Sequence, residues 1–387
     1  MKCLYTLMLA ILLLGGCATL SQPPVPNTDA AAQAVETDTD QPTASTLVTE
    51  ALPTDIIISA VGDIMLDGSA RRVMAEQGYD YPFVHMRQYF ADAQIVFGNL
   101  EGPLTDRGTP DPDKTFVFRS PPDEVAAALK TAGFNVVSLA NNHTLDYGAE
   151  GLVQTLAALD AVGIEYAGAG ADLMAARKPA LLQANGQRVA VLAYSVTLPE
   201  NFYATKTRAG TAFAYDEQVR EDVMAARAQA DIVLVSFHWG QERKTKLREY
   251  QTRLGHLAID AGANVVIGHH PHILQGIEQY KDGIILYSLG NFTFGSYSMN
   301  TTRSAVARLH FRDARLQSLR LFPINVNNFN VQFQPLPLSG AAADAVIKEL
   351  STLSAALKTI VRNDNGVGLV TLKEDAAHNI FLPQSAE

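Results

Sequence analysis

Asn264-Val265-Val266-Ile267-Gly268-His269-His270-Pro271-His272 is the stretch that decides the fold. Its first four residues read as a buried strand. Three of the chain's nine histidines follow at its end. Residues two apart on an extended segment point the same way, so the spacing predicts that His270 and His272 converge on one point. Pro271 stiffens the backbone between them. Neutral imidazole is the commonest metal ligand, whereas the bland alternative is a polar loop of hydrogen-bonded histidines. Chemistry placed directly after a buried strand is the arrangement of an open α/β sheet, which binds ligands at the carboxyl ends of its strands.

The same punctuation recurs on both sides. Apolar runs at Ile56–Val61, Gln94–Phe97, Asn135–Leu139, Ile164–Tyr166, Val189–Tyr194, Ile232–Phe237, Val265–Ile267 and Ile284–Tyr287 read as strands. Pro122–Ala132, Gly148–Ala161, Gln218–Ala228 and Leu247–Ala261 repeat apolar residues at three and four, as helices do. Strands alternating with helices predict a layered α/β domain. The Asn185-Gly186 pair predicts a hairpin, so the sheets are expected to be mixed. Polar clusters follow the strands: Gly62-Asp63, Gly98-Asn99-Leu100-Glu101, Asn141-Asn142-His143, His238-Trp239-Gly240 and Ser288-Leu289-Gly290-Asn291-Phe292. With the histidine cluster they make six strand ends, which would meet on one rim.

That rim offers Asp63, Glu101, Asn142, His238, His270 and His272 as metal ligands, with His143 beside them. Carboxylates, imidazoles and an amide carbonyl suit one or two divalent ions such as Mn, Fe or Zn. Each residue alone has a plainer explanation: Asp63 as a helix cap, Asn141 and Asn142 as turn formers, His238 as a packed neighbour of the only tryptophan. Their common placement favours a site. Lys114, Arg119 and Arg243 lie near these clusters in sequence and are candidates to hold an anionic substrate.

The chain has 387 residues, 47% of them hydrophobic, and a formal net charge of -10. An acidic chain with no basic run gives no support for nucleic-acid binding. Lys2 followed by the apolar Leu4 to Leu14 reads as a targeting signal over residues 1–16. Leu14-Gly15-Gly16-Cys17 resembles the lipobox of bacterial lipoproteins, which implies lipidation of Cys17. Cys3 leaves with the signal, so no disulfide is expected. Residues 17–53, rich in Ala, Thr, Pro, Gln and Asp, read as a disordered tether. Residues 54–330 carry the domain. Residues 331–387 are expected to add packing, with a helix at Ala341–Leu357 and a peripheral wrap from about 358.

Gly62-Asp63, Asn99-Leu100-Glu101, Asn141-Asn142-His143-x-x-Asp146-x-Gly148, His238-Trp239-Gly240, His270-Pro271-His272 and Ser288-Leu289-Gly290-Asn291-Phe292 occur in this order. Together they resemble the bacterial capsule-synthesis CapA family, associated with poly-γ-glutamate capsule and, by fold, with calcineurin-like metallophosphoesterases. The resemblance spans roughly residues 55–300. It implies a four-layer αββα sandwich with mixed sheets and a dinuclear centre. On that pattern Asp63 is the first ligand and Glu101 the bridging carboxylate. Asn142, His238 and His270 complete one metal, and His272 joins Asp63 on the other. His143 would protonate a leaving group, with Asp146 orienting it. Two positions depart from the superfamily: Met65 stands where a histidine is expected, with Asp67 as a possible replacement, and Glu101 stands for an aspartate. One metal or two is left open.

The resulting expectation is a lipid-anchored, extracytoplasmic protein. It would sit on the outer membrane if the host has two membranes. It would act in the synthesis, export or processing of an anionic surface polymer or its precursor, with a metal-dependent hydrolase-like site. Two other readings stand beside it: a non-catalytic accessory protein that binds polymer or docks onto membrane synthase subunits, and a phosphoesterase acting on small phosphate esters.

Overall fold

Alternation of apolar side chains along the strands sets the layers. The computed structural model describes residues 55–372; the expected signal sequence, Cys17, the tether and everything from 373 onward lie outside the described residues. Strand Ile56–Met65 lies between antiparallel Arg303–Arg312 and parallel Ile95–Leu100. The first sheet continues through Val136–Ser138 to Glu165–Ala167, and on the other side through Arg315–Asn325 to the hairpin Ile360–Asp364 and Val367–Thr371. The second sheet runs Ile277–Tyr280, Gly283–Leu286, Val265–His269, Ile232–His238, Gln187–Ser195, Ala180–Ala184. Asn185 and Gly186, at φ 45° and 78°, close its outer hairpin, the backbone that an Asn-Gly turn of this type requires.

Successive residues on a strand face opposite ways, and here both ways are apolar. Ile56, Ile58 and Ala60 of one sheet pack with Val189, Val191, Ile232, Leu234, Val265, Ile267, Ile284 and Leu286 of the other, forming the core between the sheets. The alternate residues face outward. Val61, Ile64 and Val96 meet helices Pro122–Ala132 and Gly148–Val162 through Val125, Leu129, Leu152 and Leu159. On the second sheet Ala190, Leu192, Val233, Val235, Val266 and Ile285 meet helices Asp216–Gln229 and Glu249–Asp260 through Val219, Val223, Leu254 and Ala258. The result is helices, sheet, sheet, helices: the four-layer αββα sandwich with mixed sheets.

The C-terminal segment is more integral than its sequence suggests. Helix Gly340–Ala355 sends Val346, Ile347 and Leu350 into the core between the sheets. The expected peripheral wrap is instead a hairpin that pairs with Arg315–Asn325 and extends the first sheet. Its turn is Asn365-Gly366, both at positive φ. Val361 and Val370 bury against the same core.

At the other end, Asp55 anchors the first strand. Its carboxylate takes two bonds from the Arg312 guanidinium at 2.8 and 2.9 Å and lies 3.1 Å from His310 Nε2. Its carbonyl accepts from Asn185 Nδ2 at 2.7 Å.

Candidate metal centre

Both sheets are parallel where it matters. Ile56–Met65, Ile95–Leu100 and Val136–Ser138 run together in one, and Gln187–Ser195, Ile232–His238, Val265–His269 and Gly283–Leu286 in the other. Their carboxyl ends gather the candidate ligands, three from each sheet: Asp63, Glu101 and Asn142 from the first, His238, His270 and His272 from the second. Asp63 lies inside its strand rather than after it, paired to Asn99 on one side and Asn291 on the other, with a register shift beside it in each pairing. Irregularities of this kind re-aim a side chain. Gly62 permits it: a Cβ there would lie 1.7 Å from the Gly290 carbonyl oxygen.

His270 and His272 do converge, with ring centroids 5.9 Å apart, but not by strand alternation. The strand ends at His269, and His270 and His272 adopt φ values of 92° and 58°. Positive φ in non-glycine residues costs about 1–3 kcal/mol each and concentrates at functional sites. The rings are therefore brought together by a strained bend around Pro271.

Asp63 and Glu101 are fully buried. Nε2 of His238 lies 3.7 Å from Glu101 Oε1 and 2.7 Å from Asn142 Oδ1. Nε2 of His272 lies 3.9 Å from Glu101 Oε1, and its Nδ1 is 3.1 Å from Asp63 Oδ2 and 2.9 Å from Asn291 Oδ1. Two overlapping groups result, Glu101–His238–His270 and Asp63–Glu101–His272, whose ligand atoms lie within 4.8 Å of one another and which share Glu101. Oε1 of Glu101 and Nδ1 of His270 are buried without a hydrogen-bond partner among the described residues. Such atoms cost free energy when left unpaired, and a divalent cation would satisfy them. The residues fit a metal.

Charge state follows from burial and neighbours. Burial raises Asp63, but the contacts and charges of His269 and His272 outweigh it and hold the carboxyl well below the usual range. Burial and then the Asp63 charge push Glu101 well above its usual value. Burial, followed by the charge on His270, holds His238 well below its ordinary value, and burial with the charge on His272 lowers His270 to about 3. Both are neutral imidazoles, as ligands must be. His272 is the exception: burial lowers it, yet Glu101 and Asp63 together push it up to about 9.

His143 forms the second unit. Its Nδ1 lies 2.7 Å from Asp146 Oδ2, and the backbone N–H of Phe118 donates to the same oxygen at 2.7 Å. Burial lowers His143, with Asp146 opposing. Lys114, expected to reach a substrate, turns its ammonium onto Asp146 Oδ1 and the Asn142 carbonyl, 3.2 Å from His143 Nδ1. Arg243 lines the mouth of the same cleft, about 450 Å³ in volume, together with Lys114, His143, Glu242 and His272. Arg119 does not reach it. Its guanidinium lies over the Tyr147 ring at 4.6 Å and lines a separate groove with Asp67, Arg71 and Asp106. Asp67 does not replace the missing histidine either: Arg71 grips both its oxygens at 2.6 and 2.9 Å, and Arg119 N donates to it at 2.8 Å.

Four residues in the centre escaped the sequence reading. Asn99 and Asn141 read as turn or strand-end residues, yet both are buried among the ligands. His269 places Nδ1 3.2 Å from Asp63 Oδ1. Glu242 completes an outer group with His270 and His272. For Asn99 and His269 the available signal was adjacency: each lies within two residues of a candidate ligand.

The protein is thus, in class, an αββα sandwich with carboxylate and imidazole candidate ligands where the carboxyl edges of its two sheets meet. More narrowly, the chain belongs to the bacterial capsule synthesis protein family (PGA_cap), which matches residues 57–296. It is 34% identical over 292 residues to the capsule biosynthesis protein CapA of Bacillus anthracis, covering 74% of this chain and 70% of that one. It is 32% identical over 301 residues to the PGA biosynthesis protein CapA of Bacillus subtilis (strain 168), covering 77% and 78%. Solved structures similar to it include Haemophilus influenzae NAD nucleotidase, at 12% identity and TM-score 0.45, covering 78% of this chain and 63% of that one. Calcineurin-like phosphoesterase YfkN from Bacillus subtilis is another, at 14% identity and TM-score 0.40, covering 68% and 88%.

Proposed function

We propose that this chain acts on an anionic surface polymer of poly-γ-glutamate type, or its precursor, during synthesis, export or processing, through a metal-dependent hydrolytic site. We assign it an extracytoplasmic location, anchored by lipid on Cys17. The observation that carries the reading is that Asn142 and His272, at the edge of a buried ligand set with a shared carboxylate, line the same cleft as His143. Support for an anionic substrate comes from the cleft's mouth. Arg243 and Glu242 line it, and the segment they belong to, residues 241–248, adds the exposed Lys244, Lys246 and Arg248 on a chain of net charge -10.

A divalent ion held by Glu101, Asn142, His238 and His270 would supply Lewis-acid polarisation of a scissile carbonyl or phosphoryl group. The chain's own residues do the rest. Asp146 accepts from His143 Nδ1–H, which fixes the tautomer and leaves Nε2 to take a proton from the attacking water and pass it to the leaving group. Lys114 cannot donate to an Nδ1 that already carries hydrogen, so its charge serves Asp146 and the Asn142 backbone. Arg243 is placed to take substrate carboxylates at the mouth.

The test is turnover of poly-γ-glutamate and of simple phosphate esters by the purified chain with added Mn, followed by chromatography for polymer length. His143→Ala should cut turnover by about 10²–10⁴-fold with metal content unchanged, and Arg119→Ala should leave turnover unchanged. Polymer retained but uncut by the metal-loaded protein would select the accessory, non-catalytic reading. That reading is favoured by Met65 at a ligand position and by the commitment of Asp67 to Arg71. Ester turnover without polymer cleavage would select a phosphoesterase.

A further inference from the structure

The orientation of one buried amide decides how many ions the centre can hold. Nδ2 of Asn141 donates to the Leu100 carbonyl at 2.9 Å, and its Oδ1 accepts from the His143 backbone N–H at 3.0 Å and Thr144 Oγ1 at 2.9 Å. A carbonyl only accepts and a backbone N–H only donates, so the Asn141 amide can stand only one way round. Its Nδ2 also donates to Asn99 Oδ1 at 3.0 Å. That contact fixes Asn99 in turn and points its NH₂ group inward. Nδ2 of Asn99 then lies 2.9 Å from Asp63 Oδ1 and 3.1 Å from Glu101 Oε2.

Both hydrogens of this amide are spent on the two carboxylates, tying together the oxygens that a second cation would have to join. The remaining Asp63 oxygen is also attended, by His270 N–H at 3.3 Å and His272 Nδ1 at 3.1 Å. One carboxylate oxygen of the pair is left without a partner, Glu101 Oε1, and it belongs with His238 and His270. We infer that the centre takes one tightly bound divalent ion, on Glu101, Asn142, His238 and His270. Asn99 acts as a positioning residue that stands in for the second ion, held in place by Asn141. Asp63 and His272 form a hydrogen-bonding pair beside the ion rather than a second site. This inference rests on the proposed reading that the centre is metal-binding.

The experiment is elemental analysis and Mn(II) electron paramagnetic resonance on the full chain and on Asn99→Asp. The wild type should hold one equivalent and give the six-line spectrum of an isolated ion. Asn99→Asp exchanges the donor for an acceptor and should raise the content to two equivalents, with a spin-coupled spectrum. Two coupled ions in the wild type would overturn the one-ion inference and leave the hydrolytic reading intact. A single ion in a folded Asn99→Asp would remove Asn99's assigned role. No ion in the wild type would overturn both readings, whereas one isolated ion without turnover would remove only the hydrolytic one.

Discussion

At the residue scale, the centre stores protons that an ion must displace. His272 is pushed up to about 9 and Glu101 well above the ordinary carboxyl range, so at neutral pH the metal-free pair carries at least one extra proton. An ion on Glu101 competes with a proton there and repels the one on neighbouring His272, which gives the sign: affinity rises with pH. The expected slope is about tenfold per pH unit between roughly pH 7 and 9, with about one proton released per ion. Calorimetric titration of Mn in two buffers of different ionisation heat measures that number directly, and release of none would contradict the coupling. Legibility divides at the same scale. Asp63, Glu101 and the three histidines stand out because charged or imidazole side chains are rare directly after apolar strands, and Asn142 through its place in the Asn141-Asn142-His143 motif. The structure brings all six together. Asn99 and Asn141 do not stand out, because a buried amide matters only through which way round it lies, and that depends on partners 36 and 42 residues apart in the chain.

Elements whose signal is local were readable. Helix Pro122–Ala132 follows from its apolar spacing and ends at Gly133 in the left-handed region. Asn185-Gly186 predicts its hairpin, and Asn365-Gly366 carried the same signal in a stretch read as a wrap. The role of helix Gly340–Ala355 was hidden because amphipathic spacing tells that one face is buried but not against what. Here it is the central core, where Leu350 is buried with Val346 and Ile347. Leu350→Ala should therefore cost about 2–5 kcal/mol, the range for a buried leucine. Urea unfolding of the two proteins checks it, and a loss below about 1 kcal/mol would mean the helix is peripheral.

Over the whole molecule, a layered α/β domain was legible from strands alternating with helices and its αββα order from the family resemblance, whereas the hand-over of strand Ile56–Met65 from Arg303–Arg312 to Asn291–Phe294 was not. That pairing joins segments more than 200 residues apart, and no local pattern records it. The same strand gives the molecule a polarity. Asp55, clamped by Arg312 and His310, is its foot, and Asp63 is near its head. Eight residues at about 3.3 Å each separate them by roughly 26 Å. Whatever chain precedes residue 55 thus joins the domain at the far pole from the cleft. A chain starting at residue 54 should keep the same metal content and melting temperature as the full chain, as elemental analysis and thermal unfolding would show. A tag or fusion partner joined at that pole should leave the mouth open.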